Sequence, residues 1–213
     1  DCARTIKQVR RACPPAHAWP RLSPSATRRS VLLKALLATM TLLPITAAAQ
    51  NWIVDEAASR IGFRFTQMGS PVEGQFDHFG SDIRFDPQAL DDARVRTEIE
   101  VDSVNTGNEE RDSGIRSQAW FDASNNPQGL FESIRFEDKG DDRYDVRGRL
   151  TLRGTTREII LPMTIRIDGR TARAEGSVTL DRQDFGIGQG DWASDKVVGY
   201  EVPVDIVIVA HRP

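Results

Sequence analysis

The chain has 213 residues, of which 39% are hydrophobic and 28% are charged, and its formal net charge is −3 at pH 7. Eight of the 28 Lys and Arg residues, but only one of the 31 Asp and Glu residues, precede Gln50, so residues 50–213 have 20 basic and 30 acidic residues and a net charge of −10. This excess of acid repels polyanions and argues against nucleic-acid binding. Both cysteines, Cys2 and Cys13, also precede Gln50, which excludes a disulfide or a cysteine metal site from residues 50–213.

The N-terminal region has the pattern of a secretory signal peptide. Arg28 and Arg29 precede an apolar stretch at residues 31–46, and residues 47–49 are all alanine. A basic region, an apolar region and small residues before the cleavage point are typical of a cleaved export signal. The paired arginines also resemble a twin-arginine signal, but nothing in the sequence requires a cofactor to be folded before export, so the general secretory route is favoured.

A permanent membrane anchor is the competing interpretation of this segment. Lys34 and Pro44 interrupt the apolar stretch, which falls short of the roughly 20 apolar residues that a spanning helix needs. We therefore expect a signal peptide at residues 28–49 and no permanent anchor. Residues 1–27 have no periodic apolar pattern and are predicted to be an upstream segment outside the mature protein, which is residues 50–213.

Strict alternation of apolar and polar residues dominates the predicted mature chain and indicates strands with one apolar face. In the clearest segment, every second residue from Ile159 to Ile167 is apolar. Bends or bulges are expected at Gly74 and Gly80 within one long extended segment, and Asp168 with Gly169 signals a tight turn. In chain order, strands are predicted at residues 52–54, 61–66, 72–85, 94–101, 130–137, 144–153, 158–167, 171–180 and 197–210.

Two segments interrupt this alternation. Residues 105–121 place Ile115, Trp120 and Phe121 at helical spacing, which predicts one short helix. Residues 184–195 are rich in glycine and predict a loop. About eight strands joined by short turns favour an all-β fold, either an up-and-down barrel or a sandwich.

Signals for catalysis or metal binding are nearly absent from the predicted mature chain. Its two histidines, His78 and His211, are far apart, and neither belongs to a known catalytic or zinc-binding motif. His78 is interpreted as a turn residue, with contact to the polar end of a ligand as the alternative. The glycine-rich residues 186–190 superficially resemble a phosphate-binding loop, but no helix is predicted to follow them, so a loop at the rim of the sheet is favoured. We therefore predict neither an enzyme nor a metal site.

Six segments, in this order and spacing, resemble a known family. They are residues 59–63 (SRIGF), 72–79 (VEGQFDHF), 85–87 (FDP), 116–122 (RSQAWFD), 146–156 (VRGRLTLRGTT) and 181–188 (DRQDFGIG). On these segments residues 52–210 resemble the YceI-like family of periplasmic, lipocalin-like polyisoprenoid-binding proteins.

This resemblance implies an extended antiparallel eight-stranded lipocalin-like barrel with one short helix, enclosing an apolar tunnel. It also implies a periplasmic protein, often a homodimer, with no established catalytic residues. One departure from the family pattern is Trp120, where a phenylalanine is usual, and the larger side chain is expected to shorten or reshape the tunnel.

The function expected from the resemblance is sequestration or transport of a long apolar ligand without a cofactor. The ligand would be an isoprenoid, a quinone or a fatty-acid-like lipid. The residues expected to line the tunnel are Phe63, Phe65, Phe76, Phe79, Ile99, Ile115, Trp120, Phe121, Phe131, Phe136, Leu150, Leu152 and Phe185. His78, Arg116 and Arg182 are the candidates for polar groups at its rim.

Two alternatives remain at this point. One is a protein-interaction or stress-response module whose aromatic residues fill an ordinary core. The other is an enzyme that acts on a lipid-like substrate inside the barrel, for which the sequence offers no nucleophile and base.

Overall fold

The computed structural model describes residues 49–213, so the predicted upstream segment and all but the last residue of the predicted signal peptide lie outside the described residues. These residues form eleven strands and one α-helix, α1 (Glu109–Arg116). The strands are β1 (Gln50–Val54), β2 (Arg60–Gln67), β3 (Ser70–Phe76), β4 (Phe79–Phe85), β5 (Arg94–Glu100), β6 (Val104–Asn105), β7 (Gln128–Gly140), β8 (Arg143–Leu152), β9 (Thr155–Asp168), β10 (Thr171–Asp181) and β11 (Glu201–His211).

Eight of the strands close into an antiparallel barrel. The order β1-β4-β5-β7-β8-β9-β10-β11 returns to its start, because β1 also pairs with β11 at Val54 and Ala210. Every pairing is antiparallel, and the apolar positions of each strand turn inward. The eight-stranded barrel with a single helix is therefore confirmed over the sandwich, since a sandwich would leave the first and last strands unpaired.

Three positions in the barrel are each occupied by two shorter strands with a break between them. These pairs of strands are β1 with β2, β4 with β3, and β5 with β6. β2 pairs with β11 and with β3, and β3 also pairs with β6. The second break lies at Asp77 and His78. Gly74 and Gly80 are regularly paired within β3 and β4, so the bends or bulges expected at these glycines are wrong. Asp77 holds this break together by accepting hydrogen bonds from the side-chain amides of Gln75 (2.6 Å) and Asn105 (2.9 Å).

The helix is shorter than the predicted segment of residues 105–121. Asn108 caps its N-terminus, because its side-chain oxygen accepts the backbone N–H of Arg111 at 2.9 Å. The helix ends at Arg116, and the following turn is closed by a hydrogen bond from the N–H of Phe121 to the carbonyl of Ile115. Helix and turn together place the apolar side chains of the segment against the end of the barrel.

β11 begins four residues later than the predicted strand at 197–210. Val197 and Val198 belong instead to a connection with an isolated bridge between Val198 and Gln67. This connection, residues 182–200, lies at the same end of the barrel as α1, and we call that end the helical end.

The opposite end of the barrel is plugged by aromatic side chains. The indole N–H of buried Trp52 donates to the carbonyl of Phe85 at 2.9 Å. The Phe85 ring packs against the rings of Phe136 and Tyr144, each with its centroid 5.4 Å away. The guanidinium of Arg212 covers the Trp52 ring at 4.9 Å from its centroid. This packing closes the barrel where the chain enters and leaves it.

Candidate functional site

The interior of the barrel is an apolar cavity of about 710 Å³. That volume lies within the range of about 300–1,000 Å³ that is common for small-molecule sites. The inward-facing residues Val202, Val204, Ile206 and Ile208 of β11 line it and remain only half-buried. Part of the apolar face is therefore not covered by other side chains, which argues against the completely filled core of the protein-interaction alternative.

The cavity runs along most of the length of β11. On β11 it extends from Val202 to Ala210, which are eight residues apart. At a rise of about 3.3 Å per residue this is about 26 Å along the strand, or about 20 Å along the barrel axis at a strand tilt of about 40°. The shape suits an extended apolar chain better than a compact ring system.

The cavity opens at the first turn of α1. Among its lining residues only Asn108 and Glu110 are exposed, and Gln67 and Arg111 lie beside them half-buried. We call these four residues the mouth. The rest of the lining is apolar apart from the hydrogen-bonded pair Ser81 and Thr97, the glycines 114 and 129, and Arg182.

A hydrogen-bond network holds the mouth in place. The buried carboxylate of Asp112 accepts the backbone N–H (2.9 Å) and the hydroxyl (2.6 Å) of Thr106. The same hydroxyl oxygen accepts from Nη1 of Arg111 at 3.3 Å, and Nε of Arg111 donates to the side-chain oxygen of Gln67 at 3.2 Å. Because Asn108 also accepts from the backbone of Arg111, the Arg111 guanidinium is anchored between the helix and the end of β2.

Arg182 is the most unusual polar residue of the cavity wall. It is only 3% exposed, and its guanidinium has no carboxylate partner within residues 49–213. It is saturated instead by hydrogen bonds of 2.8–3.3 Å to six backbone carbonyls, those of Ile187, Gly188, Trp192, Ser194, Val198 and Gly199. One side chain therefore supports most of the connection between β10 and β11, which forms the wall at the helical end.

Aromatic rings complete the surroundings of Arg182. Its guanidinium lies 5.4 Å from the ring centroid of Trp120 and 5.2 Å from that of Tyr200, and Trp120 packs edge-on against Trp192 at 5.6 Å. Burial lowers the pKa of Arg182 from its ordinary value, but a guanidinium stays charged in proteins at neutral pH. Trp120 thus lines the cavity and supports this cation.

Glycine makes room for aromatic rings in the barrel wall. The Phe131 ring lies against the backbone of the inward-facing Gly148 so closely that a Cβ at that position would overlap it. Phe63 is seated in the same way against Gly74. Large rings thus pack into the wall itself, which leaves more of the interior open.

The structure brings most of the predicted tunnel residues together. Phe79 is the exception: it is buried but does not line the cavity. That the lining residues contact a ligand stays a prediction. They are Phe63, Phe65, Phe76, Ile99, Ile115, Trp120, Phe121, Phe131, Phe136, Leu150, Leu152 and Phe185.

Of the three predicted polar rim residues, only Arg182 lines the cavity, and none belongs to the mouth. His78 is exposed at the strand break between β3 and β4, and its backbone N–H donates to Ser103. Arg116 pairs with Glu109 at 2.9 Å on the side of α1 and does not line the cavity. Arg182 lines the cavity but is buried, because its cationic head is satisfied by carbonyls rather than by water.

The mouth residues were not among the sequence-based candidates. For Asn108 a signal exists, because an asparagine followed by two glutamates is a pattern typical of a helix start. It would have moved the predicted start of the helix to Glu109 and drawn attention to its first turn. Nothing local distinguishes Gln67, whose partner is 44 residues away.

Two absences concern residues 49–213 only. No group of three or more His, Cys, Asp or Glu side chains is arranged there to hold a metal ion. No helix within this part of the chain has the length and apolar character to cross a membrane.

The geometry can be compared with known proteins. Residues 52–210 match the YceI-like domain. A UPF0312 protein of Vibrio parahaemolyticus is 32% identical over 164 residues, which cover 71% of this chain and 85% of that protein.

Solved structures share the barrel. BcnA of Burkholderia cenocepacia has a TM-score of 0.71 at 30% identity, over 73% of this chain and 98% of BcnA. A polyisoprenoid binding domain from Saccharophagus degradans has a TM-score of 0.62 at 17% identity, over 78% of this chain and 99% of that domain, and therefore shares the fold. With the domain match spanning nearly all of the described barrel, this chain belongs to the YceI-like family.

Proposed function

We propose that this protein is an exported, non-enzymatic binding protein that sequesters or carries a polyisoprenoid, quinone or fatty-acyl chain inside its barrel. The observation that carries the proposal is the apolar cavity of about 710 Å³, closed by aromatic side chains at one end and open at the first turn of α1. An apolar ligand in this cavity would remove the half-buried aliphatic side chains and its own surface from water, which favours binding.

A protein with the same fold supports a long apolar chain as the ligand. The Saccharophagus degradans domain, which has this fold, is described as binding polyisoprenoids. A polyisoprenoid is a linear apolar chain, and a cavity about 20 Å long along the barrel axis suits that shape.

Burial of the chain alone supplies enough free energy for binding. At about 0.8 kcal/mol per buried CH₂ group, a five-carbon unit contributes on the order of 4 kcal/mol before entropic costs. A few such units reach micromolar affinity after the cost of association is subtracted. Affinity therefore needs no charged clamp deep in the barrel.

A carrier fits the polar groups of the lining better than a catalyst does. The hydroxyl of Ser81 is hydrogen-bonded to that of Thr97 at 2.8 Å, and no histidine of residues 49–213 lines the cavity to activate it. Export to the periplasm is supported by the signal pattern of residues 28–49. A homodimer, common in the family, is part of the proposal.

Native mass spectrometry tests this function on the full chain expressed in a Gram-negative bacterium. We expect the purified protein to carry a non-covalent adduct that organic extraction releases as a single-chain lipid, and N-terminal sequencing to begin at Gln50. Purified protein that carries no lipid and also takes up no fluorescent prenyl probe would refute the binding function. An N-terminus before residue 28 in periplasmic protein would refute the export signal.

A further inference from the structure

Three of the four mouth residues, Gln67, Asn108 and Arg111, present hydrogen-bond donors, and Glu110 is the acceptor beside them. Guanidinium and backbone N–H groups only donate, so the side-chain oxygens of Gln67 and Asn108 must face Arg111, from which they accept at 3.2 Å and 2.9 Å. Both amide NH₂ groups are then left without a partner among residues 49–213. Each belongs to a residue that lines the cavity.

Arg111 adds further donors at the same place. Its Nε and Nη1 are occupied by Gln67 and by Thr106, whose hydroxyl is itself oriented by the buried carboxylate of Asp112. Its Nη2 has no hydrogen-bond partner, and the guanidinium forms no ion pair, within residues 49–213. The network therefore fixes the head of Arg111 at the mouth while leaving part of it available to a ligand.

The charges around the mouth indicate which acceptor it would take. Glu110 lines the opening together with Arg111 and has no ion pair within the described chain, so these two side-chain charges are opposite and cancel. The carboxylate of Asp112, which is bonded to Thr106 behind Arg111, adds no positive charge that would attract an anion. Residues 50–213 have a net charge of −10. A doubly or triply charged head group such as a diphosphate would meet this field unfavourably, whereas an uncharged acceptor would not.

We propose that Gln67, Asn108 and Arg111 form a head-group site that binds an uncharged carbonyl group at the end of the apolar chain. This inference rests on the proposed function, because it assigns the polar end of a ligand whose chain occupies the cavity. Ketones, quinones, amides and esters all carry the acceptor that this site recognises.

Three competitors with the same prenyl chain test the proposal. They are the plain hydrocarbon, the methyl ketone and the diphosphate, and each displaces a fluorescent prenyl probe from the full-length protein. Two or more hydrogen bonds to the carbonyl should make the ketone bind about tenfold more tightly than the hydrocarbon. The diphosphate should bind more weakly than the ketone.

Variants separate the head-group site from the cavity. Asn108→Ser keeps an oxygen to cap the helix but removes the amide donors. Gln67→Leu removes the amide donors on β2 together with the acceptor of Arg111 Nε, and it leaves the cap of α1 in place. We expect each to lower the affinity for the ketone relative to that for the hydrocarbon about threefold to tenfold. Arg116→Lys, on the same helix but outside the cavity lining, is the control and should behave as the original protein.

A failure of lipid binding and a failure of the head-group site give different results in these experiments. If no competitor displaces the probe and the probe itself does not bind, the lipid-binding function fails. If the hydrocarbon binds but the ketone gains nothing over it, or if the diphosphate binds most tightly, only the head-group site is refuted. The head-group site is equally refuted if Asn108→Ser and Gln67→Leu both leave the affinity for the ketone relative to that for the hydrocarbon unchanged.

Discussion

Replacement of Arg182 by lysine should destabilise the protein by about 3–4 kcal/mol. The arginine donates to six backbone carbonyls of residues 187–199, whereas an ammonium group has three N–H donors. At least three carbonyls then lose their partner, at a net cost of about 1 kcal/mol each. The lost contacts with Trp120 and Tyr200 add about 0.5 kcal/mol each, because lysine cannot stack its head on a ring as a guanidinium does.

Urea unfolding followed by tryptophan fluorescence measures this loss, because Trp120 and Trp192 lie beside the substituted side chain. Arg153→Lys is the matched control. Arg153 belongs to the turn between β8 and β9 and makes one hydrogen bond from its guanidinium to a carbonyl, that of Gln118 at 3.0 Å. Its replacement should cost less than about 1 kcal/mol. Equal losses for the two variants would show that Arg182 does not hold the connection between β10 and β11 as described.

Three further predictions concern the wall, the strand break and the length of the cavity. Gly148→Ala should push the Phe131 ring toward the interior, lowering the free energy of unfolding by about 1–3 kcal/mol and weakening uptake of a prenyl probe; unchanged values in both assays would contradict this packing. Hydrogen bonds from Gln75, and to a smaller extent from Asn105, lower the pKa of Asp77 in the folded protein. The ionised carboxylate therefore stabilises the fold at a pH above its unfolded-state pKa. This stabilisation is lost as the pH falls through the lower pKa of the folded state. Urea unfolding of the wild type and of Asp77→Asn at a series of acidic pH values should therefore show the smaller acid dependence in the variant. Affinity for a series of prenyl or acyl chains should rise by up to about fourfold per added CH₂ and level off when the extended chain reaches about 20 Å; a continued rise beyond that length would refute the closed end.

The barrel was predictable because most of its strands obey one simple rule. In β8 the side chains that face the interior are apolar, apart from Gly148, and those between them are polar. In β9 from Ile159 and in β11 from Val202 every second residue is apolar as well, although Ile160, Val207 and Val209 are apolar on the outer face, so the period of two is visible without any structure. The three positions occupied by two shorter strands were not predictable in the same way. Their breaks at residues 55–59, 77–78 and 101–103 lie side by side only after the strands pair, and the bond from Asn105 to Asp77 spans 28 residues.

The polar part of the site escaped prediction because its partners are distant and many are backbone atoms. An arginine is normally expected to be exposed to solvent. The residues next to Arg182 in the sequence contain no signal that six backbone carbonyls accept hydrogen bonds from it. The role of Gln67 depends on Arg111, which reaches it from another element. The apolar lining was easier to predict, since an aromatic residue in a strand faces the interior whether that interior is filled or open. Only the structure distinguishes these two cases.

Uptake of a fluorescent prenyl probe by two matched variants tests most directly whether the apolar chain binds inside the cavity. Ala174 lines the cavity from β10, while Ser177 on the same strand is exposed on the outside. Ala174→Trp fills the interior and should weaken probe binding about tenfold or more, equivalent to at least about 1.4 kcal/mol, whereas Ser177→Trp should bind as the original protein does. Equal binding by all three proteins would place the lipid outside the barrel and contradict the account.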